Sequence, residues 1–583
     1  MTTAPVRSPY ALAEQLEGWL GDPHDPANPF SFARLGALDR AERFPAEACR
    51  RLDELGLPRW FVPEALGGAL RSAEELSLII RTLGRRDFTV ALAHTKTYLG
   101  AVCAWVAGAD DQARRLAGRV LDGAVVSLAL TERSHGSDLL AGELTAVPAG
   151  PGRHRLDGEK WLINNATRAD LVTVLARTDP KGGARGFSLF LVDKSQLAEG
   201  SWQAMPALPT HGVRGADISG ISFTGAEVPA DALVGAAGEG LEIVLRGFQI
   251  TRTLCSAMTL GMADQALRIG TGFAEEHRLY GRPLAELPQA GRVLAEAYAD
   301  LLAAEAVSLV ATRSIHTLTG EQSVVSAVVK YLVPTIGDET IAAVRQLLGA
   351  RAMLVRDHAD GTFQKIERDH RIVGIFDGST AVNLNYLVNQ FPVLVRGWNA
   401  GLADTAGVEA AAGLDTEVPP LDPGALTLYA RSGCSVVQSL PAAAREVSRR
   451  APGTPLAALA ERLLGLAGEL HGELAAHRPS ARQVPERAFA LARDYTLLYA
   501  GAAALHLWLH TPSGRWSDDG WPEAVLTRLV RRLTGEPDLD DEDGPALDRL
   551  LPALRRQHAA GRLFSLLHCD LAEAGRPTTE EGA

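Results

Sequence analysis

The sequence predicts a multidomain α+β protein that is mainly α, and three observations predict it. The chain has 583 residues, more than one hydrophobic core organises. Apolar residues recur at three- and four-residue steps through most of its length. Between residues 126 and 237 that period gives way to short apolar runs bounded by turn clusters.

Residues 1–125 form the first helical domain. "PAEACRRLDELGL" (45–57) and "SAEELSLIIRTLGRR" (72–86) carry the helical period, and "FVPEALGGAL" (61–70) punctuates them as a Pro/Gly loop. Residues 126–237 form a β domain, with "DLVTVLART" (170–178) and "GFSLFLVDK" (186–194) as strands around the turn "TDPKGGARG". The helical period returns over 238–400, nearly unbroken from "GLEIVLRGFQITRTL" onward, and suits a helix bundle. The Gly, Ala, Pro and acid-rich stretch 401–425 reads as a linker, and 426–583 as a further helical extension. An acidic loop, "GEPDLDDEDGPALD" (535–548), lacks the ligand order and the sharp-turn glycine of a calcium loop and reads as a solvated turn.

Composition excludes several classes. Hydrophobic content of 46% with 22% charged residues predicts a sizeable core. A net charge of −12 argues against a general binder of nucleic acid or membrane surfaces. Cys49, Cys103, Cys255, Cys434 and Cys569 show no metal spacing, so no metal is expected and a reducing cytoplasm is. No secretory leader and no membrane span are expected from the sequence. Arginine greatly outnumbers lysine, which reads as codon bias.

Five short stretches carry candidate chemistry. "GIFDGSTA" (374–381) sets one acid, Asp377, between an aromatic residue and a Gly-Ser-Thr turn, as either a helix cap or a base in an apolar pocket. "LALTERSHGSDLLAG" (128–142) combines an apolar run with hydroxyls and glycines, as a strand ending in a polar turn or as a ligand loop. "DGEKWLINNATRADLVTVLA" (157–176) places Trp161 before an Asn pair, in the core or on a ligand. "HRLYGRPLAELPQ" (277–289) pairs cations with a Tyr, as a helix C-terminus or a pyrophosphate or adenine site. "RQLLGARAML" (345–354) sets Gly349 at a helix stop or a ligand approach.

In this order and spacing, these stretches resemble the acyl-CoA dehydrogenase family over roughly residues 40–390, and "FPAEACRRLDELGLPRWFVPEALGGALRSAEE" and "HGVRGADISGISFTGAEVPADALVGAAGEG" add to the resemblance. The tail resembles the helical extension of the very-long-chain type. The resemblance implies the acyl-CoA dehydrogenase fold: an N-terminal helical domain, a central β domain and a four-helix bundle, here with an extra C-terminal helical domain. It implies FAD between the β domain and the bundle, with the adenosine end against a second subunit of a homodimer. It also implies α-proton abstraction by a carboxylate while the β-hydrogen leaves as hydride.

Carried over by position, the resemblance puts Asp377 at the catalytic acid and Leu130, Thr131, Gly136, Ser137 and Trp161 around the flavin. Ile163 falls at the place of a hydroxyl that contacts flavin N5. His277, Arg278, Tyr280, Gln346 and Gly349 fall toward the adenosine end, and Ser379 after the catalytic acid. Ser137 and Arg252 face the substrate. The chain departs from the family pattern in several of these places. Asp stands for Glu at 377, Thr251 occupies the alternative base position, and Ile163 and His277 replace a hydroxyl residue and an Arg. The shorter acid leaves room for a bulky substrate. The expected activity is therefore an FAD-dependent oxidation of the Cα–Cβ bond of an atypical acyl group, on CoA or an acyl carrier protein, in secondary metabolism. A monooxygenase that decarboxylates, desaturates and epoxidises a β-keto acid, and a non-catalytic family member, are the alternatives.

Overall fold

Six helices open the chain: α1 (Ala11–Leu20), α2 (Phe32–Arg40), α3 (Ala46–Glu54), α4 (Ala73–Arg86), α5 (Phe88–Ala107) and α6 (Asp110–Leu121). The computed structural model describes residues 10–478, 484–511, 520–536 and 544–572. Residues 537–543 of the acidic loop thus lie outside the described residues. α4 begins in a capping box, in which Ser72 and Glu75 each bond the other's backbone N–H. Asp87 both ends α4 and caps α5 by accepting from the N–H of Val90. α5 is apolar all round and almost wholly buried, as expected of a helix held between two domains.

Eight strands follow: β1 (Val126–Ala129), β2 (Thr145–Pro148), β3 (Arg153–Asn164), β4 (Leu171–Arg177), β5 (Phe187–Asp193), β6 (Trp202–Met205), β7 (Ile218–Pro229) and β8 (Leu233–Val234). They order as β6-β7-β3-β2-β4-β5-β8, with β1 parallel to β4. β3 pairs antiparallel with β7 over most of its length, with shifts of register at Leu156/Gly158 and at Trp161/Ile163. The second shift is a β-bulge, and it decides which side chains of β3 leave the core.

The third unit is built on long helices: α7 (Gly240–Glu276), α8 (Pro288–Thr317) and α9 (Gln322–Leu348), with a two-residue hairpin, β9 (Arg278–Leu279) and β10 (Arg282–Pro283), after α7. The fourth place of the bundle is taken by two short helices, α10 (Thr362–His370) and α11 (Thr380–Val388), separated by the loop 371–379 that holds Asp377. After α12 (Phe391–Asn399), the stretch 401–425 is not a loose connection. It contains α13 (Thr405–Ala412), and the buried Arg313 of α8 donates to the carbonyls of Ala410, Gly413 and Thr416 at 2.7–2.9 Å.

The extension comprises α14 (Ser435–Gln438), α15 (Leu440–Arg450), α16 (Pro455–Ala476), α17 (Glu486–His510), α18 (Trp521–Thr534) and α19 (Gly544–Ala559). α17, α18 and α19 all pack on α8. The chain then returns to the bundle, where the N–H groups of Phe564 and Leu566 meet the buried carboxylates of Asp264 (2.7 Å) and Glu305 (2.6 Å). Among the described residues no helix is long and apolar enough to cross a membrane.

Candidate functional site

The loop between α10 and α11 answers the question raised by its acid. Ser379, not Asp377, is the N-cap of α11, its hydroxyl accepting from the N–H of Val382 at 3.4 Å. The Ser379 hydroxyl, expected at the cofactor, is thus engaged in the helix it starts. Asp377 and Gly378 both adopt left-handed backbone, with φ of 54° and 94°. Such a φ costs most side chains on the order of 1 kcal/mol, and Asp is among those that tolerate it best. The surroundings hold the conformation in place. Arg252 Nε donates to the carbonyl of Asp377 at 2.7 Å, and the Asn383 amide donates to the carbonyls of Gly378 and Ser379, both at 2.9 Å. A Cβ at Gly378 would stand 2.9 Å from Arg252 Nη2, so the arginine closes on a bare backbone.

The Asp377 side chain is only 8% exposed. Its Oδ2 lies 3.8 Å from Lys96 Nζ of α5 and 3.8 Å from Cys255 Sγ of α7. Lys330 of α9 donates to the carbonyl of Val373 in the same loop. Both ammonium groups lie against the Phe376 ring, Lys96 at 4.1 Å and Lys330 at 5.2 Å from its centroid. Burial, reinforced by the Asp377 charge, pushes the Cys255 thiol up to about 12, so it stays protonated. Burial pulls the Lys330 ammonium below its ordinary value, against the opposing pull of Cys255 and Asp377. Thr251, one residue before Arg252, offers a buried hydroxyl without a partner among the described residues and no acid.

The β domain presents its own half of the site at the end of β3. Trp161 N–H donates to the Thr131 carbonyl at 2.9 Å, and the Thr131 hydroxyl donates to the Trp161 carbonyl at 2.7 Å. The hydroxyl proton of Thr131 is therefore committed, and only its lone pairs face outward. Leu130 is buried, and its carbonyl accepts from Lys160 Nζ at 2.9 Å. Lys160 in turn pairs with Glu132 at 2.8 Å. Burial would raise the Glu132 carboxyl, but Lys160 and the N–H groups of Glu143 and Leu144 hold it below its ordinary value. This buried pair fixes the turn that carries Leu130 and Thr131. Gly136 and Ser137 lie beyond it on an exposed loop, with nothing within 4 Å of where a Gly136 Cβ would stand. Arg133 from the same loop lies over the Trp161 ring at 4.9 Å.

Ile163 requires a correction. Its side chain is 2% exposed and packs inside the β domain, so it does not face the site. Trp161 pairs with Gly220 and Ile163 with Ser219, which leaves Leu162 unpaired in a bulge at φ 59°. One extra residue reverses the parity of the strand. Trp161 and Leu162 both leave the core, Leu162 being 47% exposed, Ile163 turns inward, and Asn164 is half-buried. Both Oδ1 and Nδ2 of Asn164 are buried with no hydrogen-bond partner among the described residues. Buried amides are rarely left so, and a ligand is one of the standard explanations. Its neighbour Asn165 donates to the Ala93 carbonyl of α5 at 2.8 Å, one helical turn before Lys96. α5 thus ties the polar end of β3 to the Asp377 loop.

The third group gathers where α7 and α9 end. His277 stacks on Phe273 with centroids 4.8 Å apart, and Arg351 lies over the same ring at 4.9 Å. Gly349, at φ 56° and ψ −132°, stands in the turn before Arg351 with open space where a Cβ would point. Gln346 is exposed on the last turn of α9. Arg278 bonds only within the hairpin among the described contacts, to the Gly281 carbonyl at 3.3 Å, and Tyr280 at its tip is 92% exposed. The structure thus brings His277 and Gly349 together with Arg351, and Arg252 with Asp377. It leaves Arg278 and Tyr280 on a projecting turn.

Sequence reasoning missed Lys96, Asn164 and Arg351. Lysine is rare enough in this chain that one inside an apolar helix was a usable signal for Lys96. Asn164 is hidden because a bulge has no mark in composition.

Comparison with known proteins follows the same division of the chain. Family models of acyl-CoA dehydrogenase match in three consecutive pieces: the N-terminal domain over residues 33–124, the middle domain over 127–226 and the C-terminal domain over 238–391. Cyclohex-1-ene-1-carbonyl-CoA dehydrogenase of Geobacter metallireducens is 28% identical over 355 residues, 59% of this chain and 89% of that protein. An acyl-CoA dehydrogenase of Bacillus anthracis, solved in complex with FAD, superposes with a TM-score of 0.70 at 18% identity over 94% of each chain. At that coverage the likeness of fold takes in the C-terminal extension. The prolyl acyl carrier protein oxidase AnaB superposes with a TM-score of 0.59 at 18% identity, over 66% of this chain and 99% of that one.

Proposed function

The chain belongs to the acyl-CoA dehydrogenase family, and from that premise we propose that it oxidises the Cα–Cβ bond of an acyl thioester, with Asp377 as the group that takes the α-proton. FAD is its cofactor, and the residues present fit it. The unsatisfied amide of Asn164 offers a donor and an acceptor at the end of β3. Leu162 and Ile375 expose apolar surface, and Gly136 leaves its loop free for close approach. Bound there, FAD supplies a hydride acceptor.

The protein's own part is position and proton transfer. Leu130, Thr131, Trp161 and Asn164 hold a planar ring, with Thr131 as acceptor. Gly136 and Ser137 line the loop beside it. His277, Gln346 and Gly349, with Arg351, take the adenosine end. Asp377 receives the α-proton on its carboxylate in a place with little water, and Arg252 holds the backbone that carries it. The single observation that carries this reading is a buried carboxylate on a left-handed backbone fixed by two separate elements, α7 and α11. Strained positions of this kind cluster at reaction centres.

The acyl group rides on CoA or on a carrier protein, and the likeness to AnaB in fold supports testing both. The proposal includes a cytoplasmic homodimer, for which the projecting hairpin with Leu279 and Tyr280, and the exposed Met353 and Val355, supply apolar surface. The oxygenase reading had two motives, a decarboxylation that makes a well-placed base less necessary and an aliphatic side chain beside the flavin. Ile163 lies in the β core instead, so the second motive is gone.

The test is anaerobic mixing of the FAD-loaded protein with acyl thioesters on CoA and on a carrier protein. Bleaching of the flavin with formation of an enoyl thioester is the expected result. A flavin that no activated thioester bleaches, or that bleaches equally in the Asp377→Asn protein, overturns the assignment.

A further inference from the structure

The chain contains six lysines. Lys181 is exposed, and Lys96, Lys160, Lys194, Lys330 and Lys365 are buried. Four of the buried five are satisfied in the usual way. Lys160 donates to the Leu130 carbonyl and to Glu132, and Lys194 to the Ala166 carbonyl at 3.0 Å. Lys330 donates to the Val373 carbonyl, and Lys365 to Thr89 and Asp369, with Asp87 at 3.0 Å. Lys96 differs. It is 7% exposed, and no hydrogen bond from its ammonium is found among the described residues. Its neighbours there are the Asp377 carboxylate at 3.8 Å, beyond hydrogen-bonding reach, and the face of Phe376 at 4.1 Å.

The charge balance around it is uneven. Lys96, Lys330 and Arg252 converge on one loop that offers one carboxylate, Asp377, while the Cys255 thiol stays neutral. Buried charges are ordinarily paired and hydrogen-bonded, and a surplus of buried cations calls for an anion from outside the chain. We infer that Lys96 anchors a carboxylate on the substrate's acyl group, so that the substrate is the monothioester of a short dicarboxylic acid. Lys96 lies 3.8 Å from the carboxylate that takes the α-proton, so the second carboxylate lies close to the reacting carbons. The acyl chain between them is short for that reason. This rests on the reading of Asp377 as the base of an acyl thioester dehydrogenase.

The experiment uses the FAD-loaded full chain and two thioesters of equal length, glutaryl-CoA and pentanoyl-CoA. Flavin reduction under nitrogen is followed for the parent, Lys96→Met and Lys96→Arg. The expected result is a preference of at least tenfold for glutaryl-CoA in the parent, its collapse to about one in Lys96→Met and its return in Lys96→Arg. The loss falls on the substrate dissociation constant more than on the limiting rate. In parallel, calorimetry on Asp377→Asn, in which turnover is slowed, measures the same preference with and without Lys96→Met. Equal reduction by both thioesters in the parent, a Lys96→Met change that scales both alike, or no calorimetric preference overturns the inference. If neither thioester bleaches the flavin while the calorimetric preference and its dependence on Lys96 remain, the assigned reaction falls and the carboxylate site stands.

Discussion

Replacing Asn164 with Leu separates a ligand-facing amide from a structural one by the sign of its effect. The two side chains have nearly the same shape, so packing changes little. Both polar atoms of Asn164 are buried without partners among the described residues, and an unsatisfied buried group costs about 1–3 kcal/mol. Removing two such groups stabilises the FAD-free protein by about 1–3 kcal/mol once partial relaxation is allowed for. In the FAD-bound protein the same change deletes one or two hydrogen bonds to the ring, each worth about 0.5–1.5 kcal/mol net. FAD affinity therefore falls by about 2- to 150-fold. The assay is a pair of measurements on one protein: the denaturation midpoint after FAD has been stripped, and the dissociation constant by fluorescence on adding FAD back. A less stable apoprotein with unchanged FAD affinity would falsify the placement of Asn164 and restore it to the fold.

Three further changes test the rest of the site. Asp377→Asn keeps the shape of the loop and removes the proton acceptor, so the rate of flavin reduction falls about 10²- to 10⁴-fold with FAD content unchanged. Rapid mixing measures it, and a loss under tenfold contradicts the assignment. Ile163→Thr buries a hydroxyl within the β domain and costs about 2–4 kcal/mol in urea denaturation. A neutral effect would mean that this side chain faces the cofactor after all. Glu132→Gln leaves Lys160 buried against a neutral partner and costs about 3 kcal/mol at neutral pH. Because the Glu132 carboxyl is held below its ordinary value, its contribution is present above that value and is lost as pH falls through the lower, folded-state one. The gap between variant and parent should then close on the acid side, and a gap independent of pH down to full acid unfolding would count against the ion pair.

Much of this molecule was legible one segment at a time. The helical period of 72–86 became α4, complete with the capping box that Ser72 and Glu75 announce. The runs 170–178 and 186–194 became the paired strands β4 and β5. Asp377 was singled out by its setting between Phe376 and a Gly-Ser-Thr turn, and Arg252 by its motif, and the structure joins them through a hydrogen bond. The stretch 401–425 misled because Gly, Ala and Pro suggest slack, while the interaction that ties it down comes from Arg313, about a hundred residues away.

The sequence by itself determined the helical, β, helical order of the chain and the type of the stretches read as α4, β4 and β5, and it singled out Asp377 as the candidate acid. These follow from periodicity, capping and turn chemistry, which act over a few residues. Two features were decided only in three dimensions. The bulge at Leu162 reverses the parity of β3 and turns Ile163 into the core, because strand pairing with β7 sets the register. The charge around Asp377 is assembled from Lys96, Arg252, Cys255 and Lys330, side chains of three different helices. Burial and charge balance are properties of neighbours in space, and no spacing along the chain records them.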